Sequence, residues 1–301
     1  MTTHLDVLLG EYPNTRALRQ GHLKPAQAIY DFAAANPPHS AFKRAVRGLE
    51  FDVCELAFVT FLMAKAHGTP LVLLPAVIFG RLPHKFLMYN PERGALSPAG
   101  LEGKRVAIRS SSVTTVTWLR GILARDYGVD LAKVRWIVFE DAHVAEFQDP
   151  PNVERAPAGK SIVDLLLSGD ADAGVVAEGA GSDGRLEALI PDTEAAAIEW
   201  HRRTGVLPIN HMVAVKASVC AAQPEAVREF YDLLAQSKRL AGLPLSGEMD
   251  TSPMGLDANR RNLEVAIDYV HSQGLIPRRF EVDELFDDVT RTLGSTGGKS
   301  A

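Results

Sequence analysis

The sequence carries an alternation that starts, breaks and starts again. Short apolar runs at Leu5–Leu9, Ala28–Phe32, Phe51–Leu56 and Leu71–Leu74 predict strands. Between them, Thr15–Gln20, His39–Arg47 and Phe58–His67 predict helices. After Pro91, Pro98 and Gly100 the order resumes, with strand Arg105–Ile108, helix Val113–Tyr127, strand Val134–Phe139, helix Ile162–Leu167 and strand Ala173–Val176. Such alternation buries one sheet face under each crossover helix, so the fold class is α/β, in two blocks. A second break at Gly205 and Pro208 precedes strand Met212–Lys216. The chain then turns helical near Pro224–Leu240, Ala258–Ser272 and Val282–Leu285. Two crossings predict two lobes around a cleft: residues 1–90 with 212–301, and residues 91–211. Gly294–Ala301 predicts a frayed polar tail.

A faint echo links the blocks. Ala45–Val53 and Leu166–Gly174 each close a helix on Gly, pass an Asp and enter a strand. Gly48 precedes Asp52 by four positions, whereas Gly169 precedes Asp172 by three. The similarity is one of plan.

Composition narrows the function. With 46% hydrophobic and 23% charged residues in 301, the chain is neither disordered nor membrane-spanning. A net charge of −5 argues against nucleic acid or an anionic membrane as partner, so an anionic ligand must meet local basic groups. Cys54 and Cys220 fit no metal spacing, and Cys54 reads as a buried, inert thiol. The first ten residues lack a basic n-region, which predicts a cytoplasmic location. Oligomeric state leaves no mark in the sequence.

In α/β sheets, ligands meet the residues just beyond the strand ends, where helix N-termini present unpaired N–H groups. Arg109, Ser110, Ser111, Ser112 and Thr114 combine a fixed charge, small hydroxyls and a helix start, a cradle for a carboxylate or phosphate. Arg81, His84 and Lys85 follow another strand and offer a guanidinium for a carboxylate and an imidazole for proton transfer. His211 stands at the second crossing. Glu11, Tyr12 and Arg16 occupy the first strand–helix junction, and Glu55 ends the third strand. Glu140, His143 and Glu146 lack the order of a metal helix, so no metal site is expected there. No Walker lysine or GxGxxG fingerprint accompanies the Arg109–Thr115 run, and no GxSxG motif occurs.

Several of these segments resemble the 4,5-dihydroxyphthalate decarboxylase family. They are Gly10-Glu-Tyr-x-x-Thr-Arg16, Phe51-Asp-Val-Cys-Glu55 with Leu62-Met-Ala64, Arg81-x-x-His84, and Gly103-Lys-Arg-Val106. Further along come Trp118-Leu-Arg-Gly-Ile-Leu123, Tyr127-Gly-Val129, Arg203-Thr-Gly-Val-Leu-Pro-Ile-x-His211, Gly255-Leu-Asp-Ala-Asn-Arg260, Tyr269 and Gln273-Gly-Leu275. The resemblance runs in consistent order from about residue 9 to 287. It implies a type-2 periplasmic-binding-protein-like fold: two α/β lobes with the ligand in the cleft between them. Two departures stand out. The family's Glu-Tyr-Gln-Met-Thr-like segment is here Ser110–Thr114, and Lys85 replaces a usual Ser after His84. Both leave room for a substrate other than dihydroxyphthalate.

The resemblance implies a cofactor-independent decarboxylase of a hydroxyaromatic, phthalate-like acid. A hydroxyl para to the carboxyl-bearing carbon pushes electrons into the ring, a general acid protonates that carbon, and CO2 leaves. His84 is the first expectation for the acid and His211 the second. Arg81, Arg109 and the Ser110–Ser112 helix start are expected to hold carboxylates, while Glu11 or Glu55 accepts from hydroxyls. The competing expectation is a solute-binding protein or sensor for an aromatic or dicarboxylic acid. An enzyme of menaquinone biosynthesis on the same fold fits the motifs less well.

Overall fold

A computed structural model describes residues 3–180 and 184–294. Apart from Gly294, the expected tail lies outside the described residues. The chain runs β1 (Thr3–Leu8), α1 (Arg16–Arg19), β2 (Ala28–Phe32), α2 (Phe42–Gly48), β3 (Val53–Ala57), α3 (Phe58–Ala66) and β4 (Leu71–Gly80). It continues with β5 (Leu87–Tyr89), β6 (Arg105–Ile108), α4 (Thr114–Tyr127), β7 (Arg135–Val138), β8 (Val153–Arg155), α5 (Ile162–Ser168), β9 (Ala173–Val175), β10 (Glu187–Ala188) and α6 (Thr193–Thr204). It closes with β11 (Ile209–Lys216), α7 (Ala217–Ala222), α8 (Pro224–Leu240) and α9 (Leu256–Ser272).

Two units result. Met1–Arg81, Ile209–His271 and Ile276–Ala301 form the first; Leu82–Pro208 with Ser272–Leu275 forms the second. The first holds a five-stranded sheet, β2-β1-β3-β11-β4, in which β1 runs parallel to β2 and β3, while β11 runs antiparallel to β3 and β4. Helix α8 covers one face. It starts on Pro224, whose missing N–H is harmless in the first turn. Its apolar residues recur every three or four positions: Ala226, Val227, Phe230, Tyr231 and Leu234 pack with Leu5, Val7 and Val213. The second unit holds the sheet β10-β5-β9-β6-β7-β8, with Val106, Ile108, Trp136 and Val138 buried under Val116, Leu119 and Leu123 of α4.

Three differences from the sequence reading have physical causes. Strand β4 does not stop before Pro75 but continues to Gly80. It lies at the sheet edge, where a missing N–H is tolerated, and the Pro75 carbonyl accepts from Gly255 N at 2.8 Å. Residues 82–90, expected with the first block, instead feed the second sheet, since β5 pairs with β9 and β10. Residues 209–211, expected in the second block, open β11 in the first sheet. Strands β5, β8 and β10 are two or three residues long, too short to show a period-two pattern.

The echo between blocks has a structural counterpart. Asp52 N donates to Asp6 O at 2.8 Å while its carboxylate accepts from Asp6 N at 3.0 Å. Asp172 N donates to Arg105 O at 2.8 Å while its carboxylate accepts from Arg105 N at 2.9 Å. The one-residue offset also resolves. Gly169 takes the left-handed conformation after α5 (φ 83°), but after α2 that conformation falls on Leu49 (φ 48°), three residues before Asp52. In both units a left-handed residue precedes the strand-entry Asp by three.

Candidate functional site

Glu55 lies on β3, in a strand whose five residues are all buried, and is itself 0% exposed. A carboxylate there is costly unless donors surround it. Three do: Gly10 N at 2.7 Å to Oε2, Tyr12 Oη at 2.7 Å to Oε1, and His211 Nδ1 at 2.6 Å to Oε1. The strand register brings the histidine in. Val213 stands opposite Glu55 and His211 opposite Ala57, so His211 and Glu55 are diagonal neighbours on one face. With Nδ1–H held by the carboxylate, Nε2 is the nitrogen left for chemistry.

The turn 10–16 delivers Tyr12. Tyr12 N donates to Thr15 Oγ1 at 2.9 Å, Thr15 Oγ1 donates to Gly10 O at 2.7 Å, and Arg16 N donates to Tyr12 O at 2.9 Å. Asn14 Nδ2 ties the turn to β4 by donating to Ile78 O at 3.0 Å. Gly10 is required because a Cβ there would lie 2.5 Å from the Tyr12 ring. Burial, then the Glu55 charge, push the Tyr12 phenol well above its ordinary range, so it remains a proton donor to Glu55.

Aromatic rings set the other sides of His211. Phe42 and Phe79 meet it edge-on with centroids at 5.3 and 5.6 Å, leaving its side chain 18% exposed. Arg81 stacks on one of these rings, its Cζ 5.1 Å from the Phe79 ring centre. Sequence reasoning named Glu55, Tyr12, His211 and Arg81 separately but missed Thr15, Asn14, Phe42 and Phe79. Thr15 lay within the quoted Gly10–Arg16 segment, a signal that could have found it.

The remaining candidates have other partners. Glu11 and Arg16 are exposed and face each other at 3.7 Å. In the second unit, Ser110, Ser111 and Ser112 are buried before α4. Ser111 Oγ donates to Asp149 at 2.5 Å, the Ser110 and Ser112 hydroxyls lie 3.3 Å apart, and Ser112 Oγ accepts from His143 N at 3.4 Å. Thr114 is buried in the first turn of α4, and Arg109 faces Glu140 at 3.9 Å, beyond hydrogen-bond length. His84 is 2% exposed against Trp200, at 5.9 Å between ring centres. Burial drives its imidazole down to about 4, so at neutral pH it carries no second proton to give. Lys85 points to Glu178 at 2.7 Å.

Cys54 is buried and its thiol pushed up to about 12, chiefly by burial. Among the described residues no group of three or more His, Cys, Asp or Glu could hold a metal ion, the Glu140–Glu146 run included. Nor, among them, is any helix long and apolar enough to cross a membrane.

No profile of a known protein family matches the chain. Two curated relatives do. A 4,5-dihydroxyphthalate decarboxylase of Comamonas testosteroni is 26% identical over 323 residues, covering 94% of this chain and 96% of the relative. Another, of Pseudomonas putida, is 27% identical over 211 residues, covering 66% and 81%. Among solved structures, the alkanesulfonate-binding protein SsuA of Xanthomonas axonopodis pv. citri, bound to MOPS, superposes with a TM-score of 0.56 at 14% identity, over 95% of this chain and 98% of that one. The periplasmic aliphatic sulphonate-binding protein SsuA of Escherichia coli gives 0.57 at 14% identity, over 95% and 92%. DSZB, in complex with biphenyl-2-sulfinic acid, gives 0.54 at 12% identity, over 97% and 99%. These likenesses show the fold to be that of periplasmic solute-binding proteins.

Proposed function

We propose that the chain, similar over most of its length to a curated 4,5-dihydroxyphthalate decarboxylase, decarboxylates a hydroxyaromatic acid of the phthalate kind, with His211 as the proton donor. The observation that supports this assignment is the Tyr12–Glu55–His211 constellation. In this reading His211 takes the place first expected of His84.

The chemistry asks little of the protein. A ring hydroxyl para to the carboxyl-bearing carbon donates electron density to that carbon. His211 Nε2–H delivers a proton there and forms the new C–H bond. The C–C bond then breaks, its electron pair returns to the ring, and CO2 departs. Solvent restores the proton to the imidazole. No electron is gained or lost overall, so the step requires no redox cofactor. Glu55 fixes the tautomer through Nδ1 and balances the charge of the imidazolium. Tyr12 and Gly10 N hold Glu55 in place.

The test is CO2 release from 4,5-dihydroxyphthalate, with phthalate as the control that lacks the electron-donating hydroxyls. Wild type should release CO2 only from the hydroxylated acid. His211→Gln should bind that acid while turning over about 10²-fold more slowly or worse. Full turnover in this variant removes His211 from the role. A second reading, a receptor for a small organic acid, is favoured by the fold shared with sulfonate-binding proteins. Saturable binding of hydroxyaromatic acids with no CO2 release from any of them decides for it.

A further inference from the structure

One buried charge in the second unit lacks the partners such a group requires. Arg120, in the second turn of α4, is 6% exposed, and its Cζ lies 4.0 Å from the ring centre of Trp136, which is also buried. Its Nε and Nη2 are sealed from solvent and, among the described residues, make no hydrogen bond. Buried polar groups are nearly always paired, and a buried cation left unpaired destabilises a fold. Stacking on an indole offsets only part of that. Burial lowers the guanidinium to about 9, with Asp149 acting in the opposite sense, so at neutral pH the group is still a cation. Asp149 nevertheless accepts from Ser111 Oγ and makes no hydrogen bond with Arg120.

A complementary orphan lies against the same helix. Gln273 Nε2 donates to Thr117 O at 2.9 Å, while its Oε1 is buried with no donor among the described residues. Thr117 and Arg120 are three residues apart and so neighbours on the α4 surface. Asp149, whose charge acts on Arg120, is held by Ser111 in the turn before α4. Donors without an acceptor and an acceptor without a donor thus flank one stretch of α4. Both residues belong to segments that carried the family resemblance, Trp118–Leu123 and Gln273–Leu275, yet neither had been given a role.

We propose that Arg120 anchors a carboxylate of the acidic ligand beside the start of α4, with Gln273 Oε1 available to a hydroxyl of the same ligand. The planar guanidinium fork matches a carboxylate in two parallel hydrogen bonds, and Trp136 holds that fork flat before the ligand arrives. The ligand's class rests on the decarboxylase reading. Arg120 is then a specificity residue for ortho-dicarboxylates.

Calorimetry on the full chain tests this with three unreactive probes: phthalate, benzoate and inorganic sulfate. Wild type should bind phthalate best. Arg120→Met, which keeps the length and removes the charge, should weaken phthalate binding at least tenfold while the melting temperature holds or rises. Arg120→Lys should fall between, since an ammonium keeps the charge but loses the fork. Gln273→Leu should weaken hydroxylated phthalates more than phthalate itself. The proposal is overturned if folded Arg120→Met binds phthalate like wild type, or if wild type binds none of the three probes. It is also overturned if Arg120→Met fails to fold while folded Arg120→Lys binds phthalate as wild type does, which would make the residue a support for Trp136. Arg120-dependent phthalate binding without CO2 release from any hydroxyaromatic acid leaves this proposal standing and removes the decarboxylase reading alone.

Discussion

Glu55 and His211, 156 positions apart in the chain, meet at 2.6 Å because they are diagonal neighbours on adjacent antiparallel strands. Sheet hydrogen bonding on both sides of β11 fixes the histidine's backbone, and Phe42 and Phe79 fix its ring. Glu55, wholly buried and held by a second side chain, is a stationary acceptor. A group that must present one proton in one direction gains from such rigidity.

Glu55→Gln should reduce turnover by about 10²-fold or more and lower the melting temperature. A carboxamide offers one oxygen where three donors now converge, and its NH2 would oppose one of them. Steady-state kinetics with thermal melts check this. Unchanged kcat in a folded variant would separate Glu55 from the chemistry.

Tyr12→Phe removes a single donor and leaves His211 and Gly10 N on the carboxylate. The expected stability loss is about 1.5–3 kcal/mol, in the range of one hydrogen bond to a charged group. The activity loss should be clearly smaller than for Glu55→Gln. Urea titrations beside kinetics measure both.

At Gly10 the cause is steric. An alanine Cβ would sit 2.5 Å from the Tyr12 ring, so Gly10→Ala should expel the ring and cost more stability than Tyr12→Phe. The double variant Gly10→Ala with Tyr12→Ala should be more stable than the sum of the single effects implies, as expected for residues in contact. Strict additivity in a double-mutant cycle would show that the ring moves without strain.

His84 predicts acid sensitivity of the fold. Its imidazole sits near 4 when folded, against an ordinary 6.5. Between those values the unfolded chain binds a proton that the folded chain does not. The contribution is complete above pH 6.5 and is lost as pH falls toward 4, at up to about 1.4 kcal/mol per pH unit. His84→Leu should therefore lose less stability than wild type between pH 7 and pH 4.5, measured by melting at each pH. Equal losses would show that the folded imidazole takes up its proton normally.

Asp52 and Asp172 should behave alike, because each carboxylate accepts from the backbone N–H of the neighbouring parallel strand. Asp52→Ala and Asp172→Ala should each cost about 1.5–3 kcal/mol. A cost at one position and none at the other, in denaturant titrations, would show that the common geometry is not a common source of stability.

The sequence by itself determined the elements whose cause is local. Apolar runs bounded by Gly and Pro became β1, β2, β6 and β9, and the three-to-four spacing in Pro224–Leu240 became α8. The residue types of the first-unit constellation were legible too, since a lone Glu in a buried strand and a His entering another are each conspicuous. Their union was not. It follows from β11 returning antiparallel between β3 and β4, a choice made by long-range packing that no window of ten residues contains. The same holds for β5, three residues long, which joins the second sheet only because β9 and β10 provide its partners. Arg120 shows the limit most sharply: on paper it is one more basic residue of a helix, and only the surrounding fold makes it a buried cation whose Nε and Nη2 find no acceptor among the described residues. Local sequence sets what a segment can form, whereas burial and pairing depend on what the rest of the chain places against it.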